Sequence, residues 1–284
     1  MAKVAHNRIS PTAHYTAYLW YANGLSNPAL ATPVGRILHG AMEGIMAMAS
    51  WTGARIQFKE SMLCRHRLID HLLGQAIESG EIGQVIECAA GLSGRGLRFL
   101  ERYGERGLTW VDADLPEMAA IKESRIGDAM AIPQGYSFQE VDLMADSGPL
   151  SISNALGPLL RPGVGVAIIT EGLIPYFPRE ANAGMWRRFG ALLQTQPTGR
   201  YFGSVWTQDD IEADAHFTGF FSLLQLFVRG QMHIDLKDES DVSSLLEGSG
   251  LALEGLHRPD DFRGELNLPG SPGRVGVRIM EGRV

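Results

Sequence analysis

The residues of this chain that can do chemistry gather at the ends of short apolar runs. The first group, Glu87-Cys88-Ala89-Ala90-Gly91-Leu92-Ser93-Gly94-Arg95-Gly96, follows one such run and precedes a helical pattern. Small residues there, Ala89 and Gly91 above all, let the backbone turn sharply and approach a ligand. The pattern fits a nucleotide-binding turn, and it equally describes a ligand-free strand-to-helix turn, because a glycine loop is a weak signal alone. The second run ends in Val111-Asp112-Ala113-Asp114-Leu115-Pro116, about twenty residues beyond Gly91, where a carboxylate accepts both ribose hydroxyls of a nucleotide. Asp112 and Asp114 both qualify, and each also reads as a carboxylate placed near a helix N-terminus.

Glu87 lies inside its strand, less expected beside a pyrophosphate than beside a cofactor carrying positive charge, which points to S-adenosyl-L-methionine. Asp142 and Leu143 end the third run. The acid suits an adenine amino group and its neighbour the ring face, or the aspartate simply ends a strand. Glu171 closes the fourth run, before Gly172-Leu173-Ile174-Pro175-Tyr176-Phe177. A glutamate after so apolar a strand is costly unless paired, and a methionine ammonium is a suitable partner.

These residues need a scaffold, and the pattern from Gln84 onward supplies one: short apolar strands alternating with helices, the signature of a parallel sheet with crossover connections. Strands are expected at Val85–Ala90, Leu108–Asp114, Tyr136–Asp142, Val164–Glu171 and Arg200–Trp206. Helices are expected at 94–104, 116–125, 149–160 and 179–195, two of them opening near Pro116 and Pro149 as proline in a first turn permits. Together these make five βα units in one right-handed array. A helical region at 209–229 follows, within a candidate insertion spanning about 207–250, and then strands at Leu251–Leu256 and Arg274–Met280. This ending resembles the seven-stranded, Rossmann-like methyltransferase sheet, mostly parallel with its last strand antiparallel. Upstream, Leu68, Ile69, Leu72, Leu73, Ala76 and Ile77 form the apolar stripe of a helix that stops at Gly80. Residues 1–60 differ in composition and read as mobile helices outside the sheet, a helical lid or substrate cap on a domain at 61–284.

Four segments resemble the leucine carboxyl methyltransferases and their bacterial relatives, including polyketide O-methyltransferases of the tetracenomycin type. They are Arg65-His66-Arg67-Leu68-Ile69-Asp70, the Ala89–Gly96 turn, Asp112-Ala113-Asp114-Leu115-Pro116 with Lys122, and Glu171-Gly172-Leu173 before Tyr176. The resemblance covers residues 60–206. It implies that Arg65, or Arg67 in its place, binds the cofactor carboxylate. It further implies that the Gly91 turn holds the methionine portion, Asp114 the ribose, and Asp142 with Leu143 the adenine, while Glu171 lies near the amino group.

Methyl transfer from a sulfonium is an in-line displacement that asks the protein chiefly to position the acceptor and exclude water. A carboxylate acceptor needs no base, whereas a phenol does. His216, His233 and Tyr176 are the candidate catalytic side chains, against the plainer reading of the histidines as structural or surface residues. Tyr15, Tyr18, Trp20 and Tyr176 are candidates for the acceptor pocket, with His14 and Tyr21 beside them; packing of an N-terminal helix accounts for the aromatic run as well. The eight histidines and two cysteines show no HxxxH or CxxC pair, so no metal is expected. With 25 Lys and Arg against 32 Asp and Glu, the chain offers no general attraction for a phosphate backbone. The expected partner is a small-molecule acceptor rather than nucleic acid or membrane, in a cytoplasmic enzyme. The rival readings are an NAD-linked oxidoreductase on the same kind of sheet and a non-catalytic scaffold that keeps the fold.

Overall fold

The computed structural model describes residues 11–51, 58–212, 232–270 and 276–284. One seven-stranded sheet organises them: β1 (Gln84–Cys88), β2 (Thr109–Asp114), β3 (Tyr136–Glu140), β4 (Val166–Thr170), β5 (Gly199–Val205), β6 (Ala252–His257) and β7 (Arg278–Arg283), in the order β3-β2-β1-β4-β5-β7-β6. Strands β1 to β5 pair in parallel, and β7 runs antiparallel to both its neighbours. This is the expected mostly parallel sheet with a reversed last strand. Its βα units step outward from β1 through β2 to β3, then resume on the other side with β4 and β5. That reversal opens a crevice at the carboxyl ends of β1 and β4, where such sheets bind ligands.

Every residue of β1 and of β4 is buried, because helices cover both faces of the sheet. On one face pack α3 (Phe58–Glu78), α4 (Arg95–Tyr103) and α5 (Pro116–Ala129); on the other, α6 (Ile152–Leu156), α7 (Arg179–Leu193) and α9 (Glu239–Glu247), with the short α8 (Gln208–Glu212) after β5. The Leu68–Ile77 stripe of α3 faces Val85, Ala167 and Ile169 of the sheet. No helix among the described residues is long and apolar enough to cross a membrane.

Several boundaries differ from the sequence reading for identifiable reasons. Strand β1 stops at Cys88 because Ala89 already turns to φ 51°. Helix α6 is five residues long, not twelve as expected from 149–160. A turn at Gly148–Ser151 precedes it, and Pro158, lacking an N–H for the carbonyl of Asn154, tightens the end of the segment into a 3-10 turn. Strand β7 runs past the expected end at Met280 through Glu281-Gly282-Arg283. The Glu281 carboxylate accepts from Arg200 and from His257, both at 2.8 Å, and these partners keep the charge within the sheet. Of the expected 209–229 helix, the stretch 213–229 lies outside the described residues.

The N-terminal region contributes α1 (Pro11–Ala22) and α2 (Pro33–Trp51). Tyr15, Leu19, Trp20 and Met42 share a core with Phe58, Met62 and Leu63 of α3 and with Trp206 and Val277 at the sheet's end. The expected boundary at residue 60 therefore falls inside one continuous helix, α3.

At the entry to α4 the helix comes very close to the sheet, and a Cβ on Gly96 would lie 2.6 Å from the Trp110 ring and 2.9 Å from Tyr136. Gly96→Ala is expected to destabilise the protein by about 1–3 kcal/mol through this overpacking, read as a lowered denaturation midpoint. An unchanged midpoint would show that α4 stands farther from the strands.

Candidate functional site

The turn after β1 opens with two residues in the left-handed region, Ala89 at φ 51° and Gly91 at φ 49°. For alanine that conformation costs about 1–2 kcal/mol, so its surroundings must hold it. Asp114 at the end of β2 does part of this, accepting the Gly91 N–H on Oδ2 at 2.7 Å and the Leu115 N–H on Oδ1 at 2.8 Å. Burial pushes the Asp114 carboxyl up, only partly offset by these two amides. Helix α1 lies above the turn, where a Cβ on Gly91 would be 3.8 Å from that of Ala13. Asp112, two residues earlier, points into the protein. Its carboxylate meets Trp110 Nε1 at 3.0 Å, Lys122 Nζ at 2.5 Å and the Tyr136 hydroxyl, with 2% of its surface exposed. Asp114 is thus the carboxylate of the two that holds the turn after β1, and Asp112 is enclosed by its side-chain partners.

Glu171, one residue past β4, is the centre of a buried ionic cluster. Its Oε1 accepts from Arg65 Nε at 2.8 Å, and its Oε2 from Arg95 Nη2 at 2.6 Å and His66 Nδ1 at 2.8 Å. The same Arg95, wholly buried in the first turn of α4, also reaches Asp70 at 2.6 Å and Glu87. Arg98 meets His66 Nε2 at 2.9 Å and donates to Asp70 at 2.6 Å, and Arg95 Nη2 lies 2.8 Å from His66 Nδ1. Burial, and then Arg95, push the His66 ring toward its neutral form. Burial works against ionising Glu171, yet His66, Arg95 and Arg65 hold its carboxyl well below the ordinary range.

Above this cluster is a cavity of about 460 Å³, open mouth included, lined by Thr12, Tyr15 and Thr16 of α1, Phe58, Met62 and Arg65 of α3, Gly172, Pro175 and Tyr176 after β4, and Trp206 and Met232. Tyr15 and Tyr176 of the expected pocket are therefore brought together with Arg65. Trp20 instead stacks on His66 with ring centroids 4.7 Å apart, and Tyr18 packs on Tyr21 and His39. Arg67 turns outward to the carbonyl of Asn267, so that of the two neighbouring arginines Arg65 is the one paired with Glu171. Asp142 accepts the Met144 N–H at 2.9 Å in the turn after β3, beside the buried Leu143. His233 lines a second, smaller cavity with its Nδ1 3.6 Å from Asp235, and His216 lies outside the described residues.

The roles of Arg95, Asp70 and Arg98 went unread in the sequence, although a signal existed. A glutamate inside a fully buried strand requires a cationic partner, and Arg95 begins the next helix. Glu87 remains the strained member of the cluster. Burial outweighs the attraction of Arg95, the charges of Asp112 and Glu171 add to it, and the carboxyl is pushed up to about 7. Its Oε2 has no hydrogen-bond partner among the described residues. The folded chain thus keeps a proton that the unfolded chain releases, so this group makes stability fall as pH rises from its ordinary 4.5 through about 7. Glu87→Gln should remove that fall, gaining stability relative to the parent between about pH 5 and pH 8 in denaturant titrations. Parallel pH profiles for the two proteins would show that Glu87 ionises normally.

A protein of Mycolicibacterium gilvum, described as a candidate S-adenosyl-L-methionine-dependent methyltransferase, is 28% identical over 137 residues, 48% of this chain and 42% of that protein. One of Frankia alni with the same description is 28% identical over 163 residues, 57% of this chain and 56% of that protein. The matched stretch thus spans about half the length of these relatives. Among solved structures, the methyltransferase SibL in its apo form shares the fold with a TM-score of 0.51 at 14% identity, covering 99% of this chain and 70% of that one. The family model described as leucine carboxyl methyltransferase matches residues 21–189. The chain belongs to the leucine carboxyl methyltransferase family.

Proposed function

We propose that the protein is an S-adenosyl-L-methionine-dependent O-methyltransferase acting on a carboxylate or hydroxyl of a small molecule. What supports this reading is that the Gly91 turn, Asp114 and the Arg65-paired Glu171 stand at the carboxyl ends of the neighbouring strands β1, β2 and β4. These residues fit the cofactor's charge distribution. Asp114 would take the ribose hydroxyls, Asp142 and Leu143 the adenine, and Arg65 and Glu171 the amino-acid end. The cofactor supplies an electrophilic methyl group on a sulfonium. The protein's part is to hold an acceptor oxygen in line with it and keep water out. Helix α1, with α2 behind it, serves as the cap on the acceptor side, since Thr12, Tyr15 and Thr16 wall the cavity. The cavity's aromatic and aliphatic lining suits a small organic acceptor.

S-adenosylhomocysteine should bind in calorimetry at the micromolar level, about 8 kcal/mol, without competition from NAD. Asp114→Ala should weaken it by about 1.5–3 kcal/mol, the scale of hydrogen bonds to a charged acceptor. Tight NAD binding with no S-adenosylhomocysteine binding would favour an oxidoreductase.

The acceptor chemistry is read from the cavity, whose lining includes no histidine among the described residues. A carboxylate acceptor, ionised above about pH 4, gives a single-turnover rate nearly flat from about pH 6 to 8. His233→Ala should keep most of the activity. A rate rising steeply through about pH 6.5 and lost in that variant would point to a hydroxyl acceptor with His233 as its base.

A further inference from the structure

Helix α2 is apolar on two sides, and the protomer covers one of them. Met42 is fully buried, with Leu38 and Met46 packed behind it on the core that holds Tyr15 and Phe58. Gly35 closes on the carbonyl oxygen of His14, which a Cβ would approach to 2.2 Å. The opposite side carries Val34, Ile37, Ala41, Ile45 and Met48, spaced three, four, four and three residues apart as one helical stripe requires. Ile37 is 71% and Met48 66% exposed, and four of the six strongly exposed large hydrophobic side chains among the described residues belong to this stripe. So concentrated an apolar surface marks a place where another molecule packs. Gly40 and Gly44 stand in the same face, and a Cβ on either would meet nothing within 4 Å. The protomer's own packing therefore does not require glycine there, although glycine weakens a helix interior.

The charges beside the stripe select the partner. Arg36 and Glu43 flank it on one side, seven residues and thus almost two full turns apart. Arg36 is exposed and has no ion-pair partner among the described residues. Glu43, its side chain 44% exposed, lies 3.4 Å from Lys59 and 4.0 Å from His39. We propose that the outer face of α2 is a homodimer interface, across which a second copy of this chain lays its own α2 antiparallel. A two-fold axis near Gly40 sets this flank of one helix against the same flank of the other, so each Arg36 meets the other copy's Glu43. The same axis brings Ile37 of each helix to the open surface at Gly44 of the other. A parallel copy would join opposite flanks and leave both Arg36 side chains without a counter-charge. The 19-residue helix offers a strip about 28 Å long and about 10 Å wide, less than the about 800 Å² per partner of a tight interface. The dimer therefore exchanges with monomer at micromolar concentration. His39 of α2 packs on Tyr15 and Tyr18, so the second copy stands behind the α1 wall of the cavity.

Sedimentation velocity of the full chain, from about 1 to about 200 µM, should show a concentration-dependent shift from monomer to dimer with a micromolar dissociation constant. Ile37→Glu, at a position that the protomer leaves exposed, should keep its circular dichroism spectrum and remain monomeric throughout. Arg36→Glu sets like charges together twice and should weaken the dimer about tenfold. Combining Arg36→Glu with Glu43→Arg should restore it. A protein that stays monomeric over the whole range overturns the proposal and leaves the face to a partner of another kind. A dimer that survives Ile37→Glu overturns it as well, because the contact then lies elsewhere. A dimer abolished by Ile37→Glu yet indifferent to Arg36→Glu, or not recovered in the double variant, overturns the antiparallel pairing. Should Ile37→Glu fail to fold, the loss and recovery produced by the two surface charges still decide.

Discussion

A guanidinium withdrawn from water has to be neutralised where it stands, and Arg95 is neutralised by three elements at once. Asp70 comes from α3, Glu87 from β1 and Glu171 from the residue after β4, while Arg95 itself starts α4. A displaced helix or strand would leave a buried charge unmatched, at a cost of about 3–5 kcal/mol. The cluster thereby fixes the relative placement of the elements that frame the crevice. Its value lies in this specificity more than in net stability, because desolvating so many charges consumes most of what their attraction provides.

The neighbouring Asp112–Lys122 pair extends the same logic to β2 and α5. Asp112 is satisfied by Trp110, Tyr136 and Lys122, which leaves Asp114 as the acid of this segment that meets the turn after β1. Two aspartates separated by one residue share a face of the sheet wherever the strand continues regularly through both. Here β2 ends at Asp114, and that last residue bends its carboxylate back to the amides of Gly91 and Leu115. Strand termination, rather than strand periodicity, separates an internal counter-ion from a carboxylate that holds the neighbouring turn.

Much of the sheet was legible because β1 and β4 are buried on both faces and read as unbroken apolar runs, and because Gly91 and Pro116 mark where the chain turns. Less legible were features decided by distant partners. Nothing local says that Ala89 adopts a left-handed conformation, or that the charges of β7 belong inside a strand until Arg200 and His257 are placed beside Glu281. The acids at strand ends could be picked out by position. The identity of their counter-ions could not, since Arg95 and Asp70 are brought to Glu87 and Glu171 only by the packing of α3 and α4. Arg65 and Arg67 were indistinguishable in sequence. Two positions along a helix turn a side chain by about 200°, and that rotation sends one arginine inward to Glu171 and the other outward to Asn267.

Helix α1 touches both halves of the crevice: Ala13 lies over Gly91, while Thr12, Tyr15 and Thr16 wall the cavity above Arg65. A shift of this helix large enough to uncover the glycine turn also removes one side of the cavity. Exposure of the glycine turn and of the cavity is therefore coupled through a single helix.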